Sequence, residues 1–157
     1  NQYASLMEQG FSTFALIDLD HFKAINDRFG HQIGDEALVA TASALASDED
    51  TMAVRLGGEE FMLVLRGADA TLRAERRRRA ITARIADTVP DMDRLVTASM
   101  GVVEAPGEDA AGLPFEALYL RADKLLYQAK REGRNRYLKE TLAFVGPPKH
   151  RIHARAA

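Results

Sequence analysis

Cysteine is absent from this chain, which excludes disulfide frameworks and thiolate metal sites and is compatible with a reducing cytosol. An excess of either charge is absent too: 21 Lys and Arg face 23 Asp and Glu, for a net charge of −2. That balance gives no electrostatic case for a nucleic-acid or membrane-surface partner. No apolar run approaches the roughly 20 residues of a membrane span, and no signal peptide is visible, so no membrane contact by this domain is expected. No internal repeat divides the chain, and 157 residues suit one domain with a single sound core.

What the chain does have is acid at the ends of apolar strands. Gly57-Gly58 separates Val54-Arg55-Leu56 from Met62-Leu63-Val64-Leu65 and reads as a tight hairpin turn. Glu59 and Glu60 follow at once, so carboxylates are held by paired strands yet face solvent. Ala15-Leu16-Ile17-Asp18-Leu19-Asp20 carries a second acidic pair at the end of another strand. A hard cation with a nucleotide triphosphate needs such an arrangement, because Mg²⁺ takes oxygen ligands and uses one or two carboxylates plus substrate phosphates. Taken singly, Asp18 reads as a strand-end cap and Glu59 as a solvated turn acid; together they point to metal. Downstream of Asp18, His21, Phe22 and Lys23 open a helix whose free N–H groups and dipole favour an anion.

Asp18-Leu19-Asp20-His21-Phe22-Lys23, Asn26-Asp27, Phe29-Gly30-His31, Gly34-Asp35 and Gly57–Phe61, in that order, resemble the GGDEF family of diguanylate cyclases. The GGEEF spelling is one of the two usual in active members. Ala122–Lys130 with Gly133-Arg134-Asn135-Arg136 is similar to the family's C-terminal helix and its exit. The resemblance spans Asn1 to Tyr137. It implies an α+β fold, a ferredoxin-like palm similar to nucleotidyl cyclases, with a central mostly antiparallel sheet flanked by helices. Residues 1–140 are expected to form the catalytic domain, trimmed at its N-terminus, and 141–157 a tail or linker, frayed or disordered. The chain opens on Asn1 rather than Met, as expected of a piece of a longer protein whose sensory or receiver domain precedes this one. A cytoplasmic location is expected, with any membrane anchor in that missing N-terminal region.

Hydrophobic spacing supplies the elements. A helix is expected over Asn1–Gln9 with Tyr3, Leu6 and Met7 on one side, and a doubly covered strand over Phe14–Leu19. Asp20 is placed to cap the next helix, which buries Phe22, Ile25 and Phe29 and stops at Gly30. A second helix opens near Gly34-Asp35 with Leu38, Ala42 and Leu45 at core spacing. Hairpin strands follow at Met52–Leu56 and Glu60–Leu65, then a charged helix over Ala70–Thr88 with Leu72, Ile81, Ile85 and Val89 as its stripe. Arg76 to Arg79 read as a solvated outer face of that helix. Leu95–Val103 reads as a strand, Pro114–Glu132 as a helix buried through Phe115, Leu118, Ala122, Leu126 and Ala129, and Asn135–Lys139 as a last strand.

The resemblance also assigns roles. Asp18, the backbone carbonyl of Leu19, and Glu59 hold two Mg²⁺ or Mn²⁺ ions per active site, between the α- and γ-phosphates of GTP. Glu59 accepts the ribose 3′-hydroxyl proton, and Lys23 stabilises transition-state charge. Glu60 has two readings of equal weight, as a ligand of the second ion or as a shaper of the hairpin, and Gly58 of that hairpin is a substrate-binding position. His21 and Phe22 serve the phosphates through backbone and packing. Asn26 lies on the helical face of Lys23, and a Gly30…Gly34 loop brings Asp35 back toward it; the family selects guanine at these two positions, where the acceptors of Asp and the amide of Asn match the guanine edge. His31 touches the nucleotide from the same loop, while Lys130 and Arg134 reach the triphosphate, their alternative being cations suited to a helix C-terminus.

One position departs from the family. An Arg-x-x-Asp motif that binds inhibitory product is replaced by Asp48 and Thr51, within an acidic stretch that offers no guanidinium, so no product-inhibition site is expected. The leading reading is a diguanylate cyclase that condenses two GTP into cyclic di-GMP and two pyrophosphates, with a second GGDEF domain facing the first in a homodimer. The alternative is a catalytically inactive GGDEF module binding GTP or cyclic di-GMP as a sensor. An ATP-using nucleotidyl cyclase is disfavoured by Asn26 and Asp35.

Overall fold

A computed structural model of the chain describes residues 2–90, 92–106 and 113–142. In chain order the elements are α1 (Gln2–Glu8), β1 (Phe11–Leu19), α2 (Phe22–Phe29), α3 (His31–Ala44), β2 (Thr51–Gly57), β3 (Glu60–Arg66), α4 (Ala70–Thr88), β4 (Ala98–Glu104), α5 (Phe115–Arg131) and β5 (Tyr137–Thr141). The strands form one five-stranded sheet in the order β2-β3-β1-β4-β5. All neighbours are antiparallel except β4 and β5, which run parallel. The protein is therefore an α+β palm, with two βαβ passes interleaved through a common sheet, as the resemblance implies.

β1 is central, and its unbroken apolar run follows from being covered on both faces. Ala15, Ile17 and Leu19 point to a core shared with Phe61, Leu63, Met100 and the helical residues Ile25, Leu38, Ile81 and Ile85. Phe14 and Leu16 point the other way, to Leu118, Ala122 and Leu126 of α5, with Leu6 and Met7 of α1 packed alongside. Each fully buried Leu or Ile contributes about 2 kcal/mol by leaving water. Gly101 lets α5 lie close on β4: a Cβ there would stand 2.1 Å from the Ala122 carbonyl oxygen.

Several sequence expectations shift. The α4 span holds residue for residue, but Leu72 is exposed, and Ala70 and Ala74 line the buried stripe with Ile81 and Ile85. Arg78, expected in solvent, is buried; it forks onto Glu75 and reaches the Ala98 carbonyl and the Asn135 side chain. α3 begins at His31, so the expected Gly30…Gly34 loop is helix, and Ala42 is exposed while Thr41 is buried. β4 begins at Ala98 rather than Leu95, because β1 ends at Leu19, the partner of Ala98. β5 starts two residues late, since Arg134 and Asn135 adopt left-handed backbone after α5. It runs to Thr141, and Leu142 packs against the α5-side core, so the fold passes the expected boundary at 140; residues 143–157 of the expected tail lie outside the described residues.

Candidate active site

Three elements end at one rim of the sheet: β1 at Leu19, the β2–β3 hairpin, and α2 at its N-terminus. Asp18 and Glu60 are direct antiparallel partners, so their side chains leave the same face, toward α5. The hairpin differs from expectation by one residue. Gly57 pairs with Glu60, so the turn is Gly58-Glu59, with Gly58 at φ 51, in the left-handed region that favours glycine. Glu59 is thus part of the turn itself, half-buried at the tip, and the Arg55 side chain fastens the loop by donating to the Gly58 carbonyl at 3.0 Å.

α5 reaches across to both acids. Lys130 Nζ lies 2.6 Å from Asp18 Oδ2. Tyr119 donates its hydroxyl to Glu60 Oε1 at 2.6 Å, and that bond pushes the phenol up to about 12. The other carboxylate oxygen, Asp18 Oδ1, is buried and has no hydrogen-bond partner among the described residues. A buried acceptor left unpaired is costly, so an unpartnered carboxylate oxygen at a site rim marks a place for a ligand. Burial raises the Asp18 carboxyl above its ordinary value; Lys130 opposes the rise, while the charges of Glu59 and Glu60 add to it. Among the described residues no group of three or more His, Asp or Glu could hold a metal by itself. The donor set therefore fits a hard cation shared with phosphate oxygens, and not an all-protein cage.

The strand-to-helix turn beside Asp18 is made by His21, whose left-handed backbone (φ 56) is followed by α2 with no side-chain cap. Asp20, expected to cap this helix, does not. It is buried, accepting hydrogen bonds from Thr97 Oγ1 and Ser99 Oγ, both at 2.7 Å, and from the Asn135 amide at 3.1 Å. Among the described residues no side chain caps the first amides of α2, and exposed Lys23 stands in its first turn. Phe22 is core. Asn26 is half-buried against α3 at Gly34, and Asp35 follows, exposed. His31 is exposed in the first turn of α3. Arg134 is half-buried in the left-handed exit of α5, its amide bonded to the Ala129 carbonyl at 3.0 Å.

The structure thus brings Asp18, Glu59, Glu60 and Lys130 together and sets Asn26 against Gly34, the residue before Asp35, on a separate α2–α3 contact. Sequence reasoning missed Tyr119, whose only signal is its place on the inward face of α5, and the buried role of Asp20. In the stretch that holds Asp48 and Thr51, where the family carries its product-binding motif, Arg77 lies 2.6 Å from Asp48 and Arg66 2.7 Å from Asp50. The Asp50 amide and then Arg77 hold the Asp48 carboxyl below the usual range.

Sheet order and acids at the sheet rim define a palm of the nucleotidyl-cyclase class. Within it the chain belongs to the GGDEF family, described as diguanylate cyclase, GGDEF domain, which matches residues 2–136. It is 39% identical over 132 residues to diguanylate cyclase VdcA of Vibrio cholerae, covering 78% of this chain and 37% of that one. It is 44% identical over 126 residues to the response regulator PleD of Caulobacter vibrioides, covering 76% of this chain and 27% of that one. The GGDEF domain of DgcB from Caulobacter crescentus, solved in complex with c-di-GMP, superposes at TM-score 0.69 and 32% identity, over 89% of this chain and 84% of that one. The chain spans well under half the length of these two curated relatives.

Proposed function

We propose that this domain is an active diguanylate cyclase, joining two GTP into cyclic di-GMP with release of two pyrophosphates. The observation that carries the reading is the unpartnered, buried Asp18 Oδ1 beside Glu59 and Glu60. Asp18, the Leu19 carbonyl and Glu59 would hold divalent cations, Mg²⁺ or Mn²⁺, which when bound neutralise the triphosphate and acidify the ribose 3′-hydroxyl. Glu59 takes the 3′-hydroxyl proton as the 3′-oxygen bonds to the α-phosphorus of the facing GTP. The bond from that phosphorus to pyrophosphate breaks, and the electron pair leaves with it.

The open amides of α2 and the side chain of Lys23 receive phosphate charge. Lys130, now on Asp18, and Arg134 would turn to the triphosphate. Tyr119 holds Glu60, which favours Glu60 as a shaper of the hairpin. Asn26 and Asp35 read guanine. Each domain holds one GTP, so two domains must face each other, and a regulatory domain in the longer protein would govern that meeting; the name response regulator on a longer relative supports this.

Asp18→Asn and Glu59→Gln should each lower turnover at least about a hundredfold, as expected for losing a charge that acts on the transition state. The check is cyclic di-GMP formation from GTP and Mg²⁺, with circular dichroism confirming the fold. Product formation by either variant near the wild-type rate would remove the assignment. A wild-type domain that binds GTP without making product would instead be a sensor module.

A further inference from the structure

We infer that Gly34 is a positioning residue of the base-reading site: its missing side chain, one residue before Asp35, is the space that the Asn26 amide occupies. The inference rests on the assignment of Asn26 and Asp35 to guanine. Gly34 is buried in the second turn of α3, with its amide bonded to the Gly30 carbonyl at 3.1 Å. It is not among the residues with positive φ, so the backbone does not call for glycine there. Glycine is a poor helix former, and alanine would serve the helix better. The reason must be space. A Cβ on Gly34 would lie 1.8 Å from Asn26 Oδ1, 3.0 Å from its Cγ and 3.3 Å from Phe22 Cζ.

Phe22 and Asn26 are one helical turn apart on α2, so a single missing methyl lets both side chains of that face meet α3. Phe22 is anchored in the core and cannot retreat. Asn26 is only half-buried, and among the described residues no hydrogen bond holds its amide. A methyl at 34 would therefore displace the Asn26 amide into solvent and leave the helices in place. The contact also fixes the pair as a unit: the residue after Gly34 is Asp35, so one rigid α2–α3 contact sets amide and carboxylate relative to each other. Base selection is then decided by a helix–helix contact and not by a loop.

The test is GTP and ATP binding in Mg²⁺ by the intact chain for Gly34→Ala, Asn26→Ala and the double variant, with the Asn26 side-chain amide followed by ¹H–¹⁵N NMR. Gly34→Ala should weaken GTP binding by about tenfold, the scale of one lost base-edge contact, leave ATP binding unchanged, and move the Asn26 amide signal to a solvent-exposed position. The double variant should bind GTP no worse than Asn26→Ala alone, because the side chain in conflict is gone. Wild-type GTP binding by Gly34→Ala, or additive losses in the double variant, would overturn the proposal. If Gly34→Ala does not fold, the double variant should; its failure to fold also overturns it. If Asn26→Ala leaves the GTP-to-ATP ratio unchanged, the guanine assignment falls, and the NMR signal alone decides the spatial claim: a displaced amide in Gly34→Ala upholds it, an unmoved one ends it.

Discussion

Asp18 is held in a position that folding itself disfavours. Burial lifts its carboxyl above the ordinary range, and although Lys130 opposes the lift, Glu59 and Glu60 reinforce it. A folded-state pKa above the unfolded value means that the folded chain binds the proton more tightly. Ionised Asp18 therefore lowers stability as pH rises from the unfolded value, 3.8, through the folded one, and the loss persists at neutral pH. Asp18→Asn removes it. In chelator, the variant should melt at or above the wild-type temperature at pH 7, with the gap closing as pH falls toward 4 and the wild-type carboxyl takes up its proton. Mg²⁺ and GTP should raise the wild-type melting temperature and leave that of the variant where it was. A variant that melts well below wild type at pH 7 would show that the ion pair to Lys130 outweighs desolvation.

At the scale of elements, α5 and its exit form a latch over the strand ends. Lys130 and Tyr119 hold Asp18 and Glu60 from within the helix. The left-handed exit is secured from two sides: Asp20 accepts the Asn135 amide, and Arg78 donates to the Asn135 side chain while also donating to the Ala98 carbonyl. Arg78 is in turn paired with Glu75 within α4, so α4, β4 and the α5–β5 turn share one polar network, buried at Arg78 and Asp20. Such networks stabilise when fully satisfied and are costly to break. Asp20→Ala should cost about 3 kcal/mol, since it strands the Thr97 and Ser99 hydroxyls and the Asn135 amide. Urea denaturation measures this. Asp20→Asn, which keeps an acceptor and gains a donor, should cost clearly less. Equal stability of Asp20→Ala and wild type would show that the carboxylate does not fasten the turn.

For the whole molecule, the proposed chemistry needs two domains and offers no evident brake of its own. Initial rate should rise with roughly the square of domain concentration until dimers saturate, and strict proportionality to concentration would show that one domain suffices or that the dimer is already complete. Beside the hairpin, Arg77 and Arg66 are occupied by Asp48 and Asp50, and Arg73 by Asp69 and Thr51. A dianionic dinucleotide approaching there meets carboxylates and arginines already paired, so tight product binding is not expected. Adding cyclic di-GMP before GTP should leave the initial rate close to its uninhibited value. Strong inhibition at low micromolar product would mean that Arg66, Arg73 or Arg77 abandons its present partner for product.

The sequence by itself determined the order of elements, the α4 span, both faces of β1, and the acids at the ends of β1 and the hairpin, because hydrophobic period and glycine placement are local signals. Acids near the two strand ends were legible for the same reason, but the sequence paired Asp18 with Glu59; that Glu60 is the direct cross-strand partner of Asp18, with Glu59 in the turn, came from the β1–β3 register. Which partner a polar residue finds was not legible. Asp20 has the look of a helix cap, yet its hydrogen-bond partners lie 77, 79 and 115 residues away. Arg78 sits in a run of arginines that reads as solvated, and only the approach of β4 and the α5 exit gives it a buried carbonyl and an amide to hold. The one-residue shift of the hairpin came from the pairing of Gly57 with Glu60, a cross-strand choice. Gly34 looks like a loop glycine until α2 is seen lying across it. Burial is written along the chain; the partners of buried polar groups, and the gaps that glycines leave for them, were decided only when distant segments packed together.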